Sequence, residues 1–358
     1  MGDGRERVHE EGVRIVRPLT PRRILWTCAG LFGVLFVMVV ISLRMGAYPI
    51  SVRDIVSTLY KAAMGRRDEV PVEFWQVVFG LRLPRIALGI LVGASLSTAG
   101  AGFQALLRNP LADPYVLGVS SGAALGAIIS LIVAPHTVGA IQIAAFIGAA
   151  STIAGVYFLG RRGGQLDSPT LLLAGIVAAS FLSAIIMFLL TMVTGSELRS
   201  IAFWLMGDLT APPPTTNVLG WLGFLFFVFI VAAGAMYTTS SDLNLILTGE
   251  QEARHLGVNV NRVKFVVYIA ASVLTGLAVS VSGAIGYVGL LVPHVMRMFF
   301  GTDYRLLIPT AAIGGAIAIV LADTLARTVV APTELPVGAM TALAGAPVFI
   351  YLMRRRMR

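Results

Sequence analysis

A chain of 358 residues in which hydrophobic types hold 57% of the positions and charged types only 13% cannot fold as an ordinary water-soluble domain. Net charge is +9, carried almost wholly by arginine because Lys61 and Lys264 are the only lysines, and the arginines stand at the ends of apolar runs rather than on one readable face, which excludes nucleic acid as a partner. A single cysteine, Cys28, and four scattered histidines, His9, His136, His255 and His294, exclude an intrachain disulfide and a metal site built on regular ligand spacing.

The N-terminal stretch 1–23 mixes acids with Arg5, Arg7, Arg14, Arg17, Arg22 and Arg23, and precedes an apolar run too long for a signal-peptide core, so it reads as a segment ahead of a retained span. A hydrocarbon slab takes roughly 20 apolar residues per helix. Runs of that size fall at about 24–43, 84–104, 116–134, 138–159 and 169–194, and again at about 217–237, 263–282, 284–300, 306–326 and 335–353. The fold class expected is therefore all-α and integral to the membrane, with ten spans over 24–353, a basic tail at 354–358 and both termini on one side. The division between the seventh and eighth runs rests on Ser282-Gly283-Ala284.

Arg161, Arg162, Arg254, Arg262, Lys264 and the tail Arg354-Arg355-Arg356-Met357-Arg358 all fall on one side of this topology, and positive residues in short loops mark the cytoplasm. The first connection departs from the rule: it carries Arg44, Arg53, Lys61, Arg66 and Arg67 against Asp54, Asp68, Glu69 and Glu73, and is a candidate docking element. Glycines at four-residue spacing, Gly89 and Gly93, then Gly118, Gly122 and Gly126, suit close helix packing in lipid, with a smooth pathway lining as the functional alternative.

The chain lacks the chemistry of a motor. Lys61 is followed by Ala62 and Lys264 by Phe265, so neither completes the glycine-rich loop that cradles nucleotide phosphates. No catalytic residue is expected, and any ATP and Mg belong to another polypeptide. Nor does a lone carboxylate or histidine fall at the middle of a run, as a proton-coupled carrier would place it; Glu197, Asp208 and Glu334 lie in loops on one side, Asp113, Asp167, Asp242, Glu250, Glu252 and Asp303 in loops on the other, and Asp323 near a span end. His294 follows Pro293 and reads as part of a kinked helix, and Ser120-Ser121 has no His and Asp partners at its depth.

Several long words stand in order along nearly the whole chain: Leu81-Arg-Leu-Pro-Arg85, Gln104-Ala-Leu-Leu-Arg-Asn-Pro-Leu-Ala-Asp-Pro114, Leu117-Gly-Val-Ser-Ser-Gly122, Leu171-Leu-Leu-Ala-Gly175, Ala253-Arg-His-Leu-Gly257, Gly283-Ala-Ile-Gly-Tyr-Val-Gly-Leu-Leu-Val-Pro-His294, Glu334-Leu-Pro-Val-Gly338 and Gly345-Ala-Pro347. In these words the sequence resembles the permease subunits of the iron-siderophore, haem and cobalamin importers, the type II, FecCD-type ATP-binding-cassette systems.

The resemblance implies a ten-span permease of the bacterial inner membrane, paired with a second copy of itself, with the pathway between the two fifth spans. Two cytoplasmic ATPase subunits and a periplasmic substrate-binding protein complete such an assembly. The cargo it implies is a metal chelate, with ferric siderophore, cobalamin and haem ranked in that order by family frequency. The connection 241–262 would supply the coupling helices: Thr248–Gly257 reads as one short helix with acids in its first turn and a glycine cap, and Glu250, Glu252, Arg254, Leu256 and Gly257 are the ATPase-coupling candidates. Arg82, Arg85 and Arg327 match the arginines that grip carboxylates on the binding protein, with Asp323 one helical turn before Arg327. By analogy one gate lies at about 165–168 and the foot of the fifth span, and the segment 200–207 lines the opposite mouth. The alternative is an ion-gradient-driven secondary carrier with inverted repeats, which transports without any ATPase.

Overall fold

A computed structural model describes residues 19–46, 48, 50–134, 137, 139–163, 165–193, 196–210, 215, 217–331 and 333–356. Residues 1–18, His136 and the last two tail residues, 357 and 358, lie outside the described residues.

The described residues are helical almost throughout. Helix α1 (Pro21–Arg44) starts where the Thr20 hydroxyl accepts from Arg23 N and Pro21 supplies a helical φ with no amide to satisfy. The connection after it is itself structured: α2 (Val52–Ala63) is capped by Ser51, whose hydroxyl accepts from Asp54 N at 3.1 Å and donates to its carboxylate at 2.6 Å. A short α3 (Val72–Trp75) runs through a π-helical stretch, Gln76–Arg82, into α4 (Leu83–Leu106). Pro84 explains the π stretch, because it has no amide to give the preceding turn and the ladder slips to wider pairing, with Leu83 N donating to Val78 O.

Beyond α4 come α5 (Val119–Val133) and α6 (Ala140–Leu159), then a ribbon of two-residue strands, β1 (Arg161–Arg162) and β2 (Gln165–Leu166), and α7 (Ser168–Leu190). A short α8 (Ser196–Met206) precedes α9 (Val218–Thr238). The second half holds α10 (Ser240–Thr248), α11 (Glu250–His255), α12 (Val260–Ser282), α13 (Val288–Phe300), α14 (Tyr304–Thr328) and α15 (Val337–Arg356). Among the described residues seven helices are long and apolar enough to cross a membrane, α3 and α4 counting as one, and α5, α13 and α15 are shorter apolar helices. All ten expected runs coincide with these elements. Two start late for local reasons: Pro114–Leu117 forms a 3-10 turn ahead of α5, and a non-helical stretch at 283–287 precedes α13.

The bundle is built around α4, α12 and α14. Seventy-eight per cent of the apolar stretch of α12 and 72% of that of α14 are buried, against 17% for α6, α7 and α9 and 6% for α1. Glycines bring the central helices together. A Cβ on Gly93 would lie 2.1 Å from Gly315 O, and one on Gly100 only 1.8 Å from Gly289 O, so α4 crosses α14 and α13 with backbones in contact. Gly122 and Gly126 do the same between α5 and α6, against Gly148 O and Ala144 O, which makes packing the role of these residues. Gly118 instead caps α5 from a left-handed conformation, φ +75°.

One expectation needs correction. The short helix expected over Thr248–Gly257 is α11, with both acids in its first turn and Gly257 past its end at φ +87°, but its start moves to Glu250: Thr248 ends α10, and Gly249, at φ +157°, separates the two helices.

Candidate functional sites at the two ends of the bundle

At one end, where α1 and α14 finish and α4 begins, the three arginines singled out from the sequence converge. Arg82 projects from the π stretch and donates to Leu43 O at 2.5 Å and to Tyr48 O. Arg85 donates through Nε to Asp323 Oδ1 at 2.8 Å and through Nη1 to Glu334 Oε2 at 2.7 Å. Arg327 reaches the other Asp323 oxygen at 3.1 Å, across the helical turn expected for that pair, and donates to Ser42 Oγ at 2.7 Å.

One carboxylate therefore bridges two guanidiniums, and burial makes the pairing strict: Asp323 is 3% exposed at the side chain, Arg327 5% and Arg85 12%. A charge buried among such partners is held in one geometry, since each lost contact would leave an uncompensated ion. Glu334 is the exposed member, at 42%. Arg82, Arg85, Arg327 and Glu334 line a cavity of about 630 Å³ together with Tyr48 and Trp221. The segment following α8 meets the same end, where Asp208 N donates to Ser282 O at 2.8 Å.

At the opposite end, α11 is tied down by ions. Glu250 accepts from Lys264 Nζ at 2.7 Å and from Arg108 Nη2 at 3.3 Å. Lys264, 7% exposed at the side chain, also donates to Leu166 O at 3.3 Å, and Arg108 to Ile246 O at 2.9 Å. Arg254 donates to Gln165 Oε1 at 3.0 Å. Ala253 is buried beneath the helix, Glu252 is exposed, and Leu256 presents 66% of its surface at the tip before Gly257 turns the chain at φ +87°. Asp167 caps α7 by accepting from Thr170 N at 3.1 Å, and Ser168 donates to Leu106 O at 2.9 Å, so the ribbon, the foot of α7 and the end of α4 are neighbours.

Some site residues carry no signal in the sequence alone. Lys264 and Arg108 look like ordinary loop-end cations until folding sets them against Glu250. Between α4 and α5, the Tyr115 hydroxyl accepts from Ile285 N at 3.0 Å and donates to Ile285 O at 2.8 Å, satisfying both backbone groups of a residue in the non-helical stretch before α13. Gln104 continues this contact by donating to Leu290 O at 3.1 Å and accepting from Arg297 at 3.0 Å. Asp113 accepts from Tyr115 N at 2.8 Å, and burial pushes its carboxyl up to about 6. Asp303 caps α14 and accepts from Asn244 at 2.8 Å; its carboxyl is held below the usual range, first by the hydrogen bond from Arg305. Among the described residues no group of three or more His, Cys, Asp or Glu side chains is placed to hold a metal ion.

Against known proteins, residues 34–355 match the FecCD transport family. The chain is 42% identical to the cobalamin import permease BtuC of Halobacterium salinarum, covering 78% of this chain and 74% of that one. It is 37% identical to the hemin transport permease HmuU of Yersinia pestis, covering 91% and 96%, and 39% identical to the uncharacterised ABC transporter permease YvrB of Bacillus subtilis, covering 91% and 93%. Among solved structures it superposes on a metal-chelate type ABC transporter in an inward-facing conformation with a TM-score of 0.78 at 30% identity, over 92% of this chain and 99% of that one. With nearly its whole length matched and its helices superposed on a transporter of that kind, the chain belongs to the FecCD transport family and is a permease subunit of a metal-chelate type ABC importer.

Proposed function

We propose that this permease forms, with a second copy of itself, the inner-membrane pathway through which a ferric siderophore, cobalamin or haem enters the cytoplasm, driven by ATP hydrolysis on two separate subunits. The seven long and three shorter apolar helices support ten spans per chain, with both termini cytoplasmic. Orientation follows from charge: Arg161, Arg254 and Arg262 share the end at which α11 stands, and cations near short loops are retained on the cytoplasmic side. In this reading the Arg85 end faces the periplasm and docks a substrate-binding protein through Arg82, Arg85 and Arg327, the accessible member of the group being the Arg85 pair with Glu334.

The observation that carries the coupling role is α11 itself. It is a six-residue helix whose apolar tip, Leu256, is exposed while its Glu250 is locked to Lys264 and Arg108 behind it. A helix too short to persist alone but anchored on its inner side is suited to sit in a groove of an ATPase and to transmit its movement; Glu250, Glu252, Arg254, Leu256 and Gly257 make up that element. A secondary carrier is less well supported, since the buried Asp323 is already engaged by two guanidiniums and is not a free ion-binding carboxylate.

The test is uptake of labelled ferric siderophore, cobalamin and haem into proteoliposomes holding this chain, its ATPase and its binding protein. Uptake of one ligand, dependent on ATP on the α11 side, is expected. Gradient-driven uptake in the absence of the ATPase would overturn the proposal.

A further inference from the structure

Two side chains of the α11 region reach past their own element to the ribbon that precedes α7. Lys264 spans from Glu250 Oε1 at 2.7 Å to Leu166 O at 3.3 Å, and Arg254 donates to Gln165 at 3.0 Å, so adjacent residues of β2 are held from α11 and α12. Leu166 also belongs to the same buried cluster as Ala253, Val258, Val260 and Val263, which gives the contact an apolar floor. Strand β2 ends two residues before Ser168, where α7 begins.

We propose that Lys264 and Arg254 are positioning residues that fasten the ribbon, and with it the foot of α7, to α11, so that the two travel as one body when an ATPase moves α11. The proposal rests on the reading of α11 as the ATPase-contacting element. Its physical basis is the ammonium of Lys264, which has three donors and answers a carboxylate on one side and a backbone carbonyl on the other. Buried as it is, it has little water with which to replace either partner, so the link has little slack. Arg108 completes the anchor by holding Glu250 and Ile246 O from the end of α4. A displacement of α11 is then delivered to the start of α7 rather than absorbed in a loose connection.

The decisive quantity is ligand imported per ATP hydrolysed, which loss of a merely structural contact would not selectively change. For Lys264→Met, which leaves Glu250 paired with Arg108 so that no buried ion is stranded, a fall of about tenfold or more is expected, corresponding to about 1.4 kcal/mol of lost coupling, with the ATPase still in the purified complex. Lys264→Arg should restore most of the ratio. A wild-type ratio in Lys264→Met overturns the relay while leaving the ATPase contact standing. Leu256→Asp separates the two ideas: it should release the ATPase, and retention of the ATPase there overturns the underlying reading of α11. A second measurement needs no destabilising change at the link. With nitroxides on Arg162→Cys and Gln251→Cys in a Cys28→Ser background, the distance between labels should be the same in nucleotide-free and ATP-trapped complexes, and a change in that distance overturns the proposal.

Discussion

Arg85 has two anionic partners of different character. Asp323 is buried and shared with Arg327, whereas Glu334 reaches in from the exposed segment before α15 and occupies only Nη1. A carboxylate from a docking protein would meet Arg85 where Glu334 now stands, so the chain's own glutamate competes with its partner's. Replacing Glu334 with Ala should therefore tighten docking by a few-fold, since an exposed ion pair contributes about 1 kcal/mol or less, and the gain should shrink at high salt. Binding measured by surface plasmon resonance at two ionic strengths tests this; weaker docking would make Glu334 part of the interface instead. Arg82 is unsuited to the same experiment, because an acid placed there would face Leu43 O and Tyr48 O and damage the fold before it reported on docking. Asp113 supplies a residue-scale prediction in pH. Its folded value, about 6, stands above the ordinary 3.8, so the folded state holds this proton more tightly and the residue costs stability once both states are ionised above about 6. Asp113→Asn keeps an oxygen to accept from Tyr115 N and should raise the Tm at about pH 8 by a few degrees, a gain that fades as pH falls through 6 and is gone below about 4.

Breaks between helices are as informative as the helices. Gly283 ends α12 at φ +67° and ψ −160°, a conformation open essentially to glycine, and a Cβ there would come within 2.1 Å of Trp204 O. Gly283→Ala should thus destabilise the protein by about 1–3 kcal/mol from backbone strain alone and more from the displaced α8, whereas Gly286→Ala, three residues on with open space around it, should be close to neutral. Thermal unfolding in detergent, followed by the loss of monodisperse protein, compares the two. The same contrast explains what could be read from the sequence. Each span announces itself by a local property, apolar length, and all ten runs lay where helices form. The family words placed α11 and the arginine cluster. What could not be read depends on partners far along the chain: Lys264 finds Leu166 across 98 residues, Arg85 finds Asp323 across 238, and Tyr115 finds Ile285 across 170. Nor does a run of apolar residues disclose α2, because an amphipathic helix in a charged connection has the composition of a loop.

Across the whole molecule, burial divides the helices into a packed centre and exposed flanks. Helices α4, α12 and α14 form a polar-capped, glycine-packed centre, while α7 leaves Leu173, Ile176, Val177, Phe181, Met187 and Phe188 exposed along its length, and α9 does the same with Phe224, Phe227, Ile230 and Val231. Lipid covers either face equally well, so exposure alone does not separate a lipid-facing helix from one that meets a second copy. The proposed dimer does separate them, because it sets the two α7 helices across a shared axis and leaves α9 outside. In a Cys28→Ser background, Val177→Cys or Phe181→Cys should therefore form a subunit-to-subunit disulfide on mild oxidation, since two-fold symmetry brings a residue near the axis close to its own copy. Phe227→Cys should form no subunit-to-subunit cross-link under the same oxidation and react instead with a lipid-soluble maleimide. Ligand and nucleotide supply a further check, because a pathway that opens and closes must change the separation of its walls: trapping with ATP should alter the yield at position 177 or 181 and leave position 227 untouched. A disulfide at 227 with none on α7 would move the dimer face to α9 and remove α7 from the pathway.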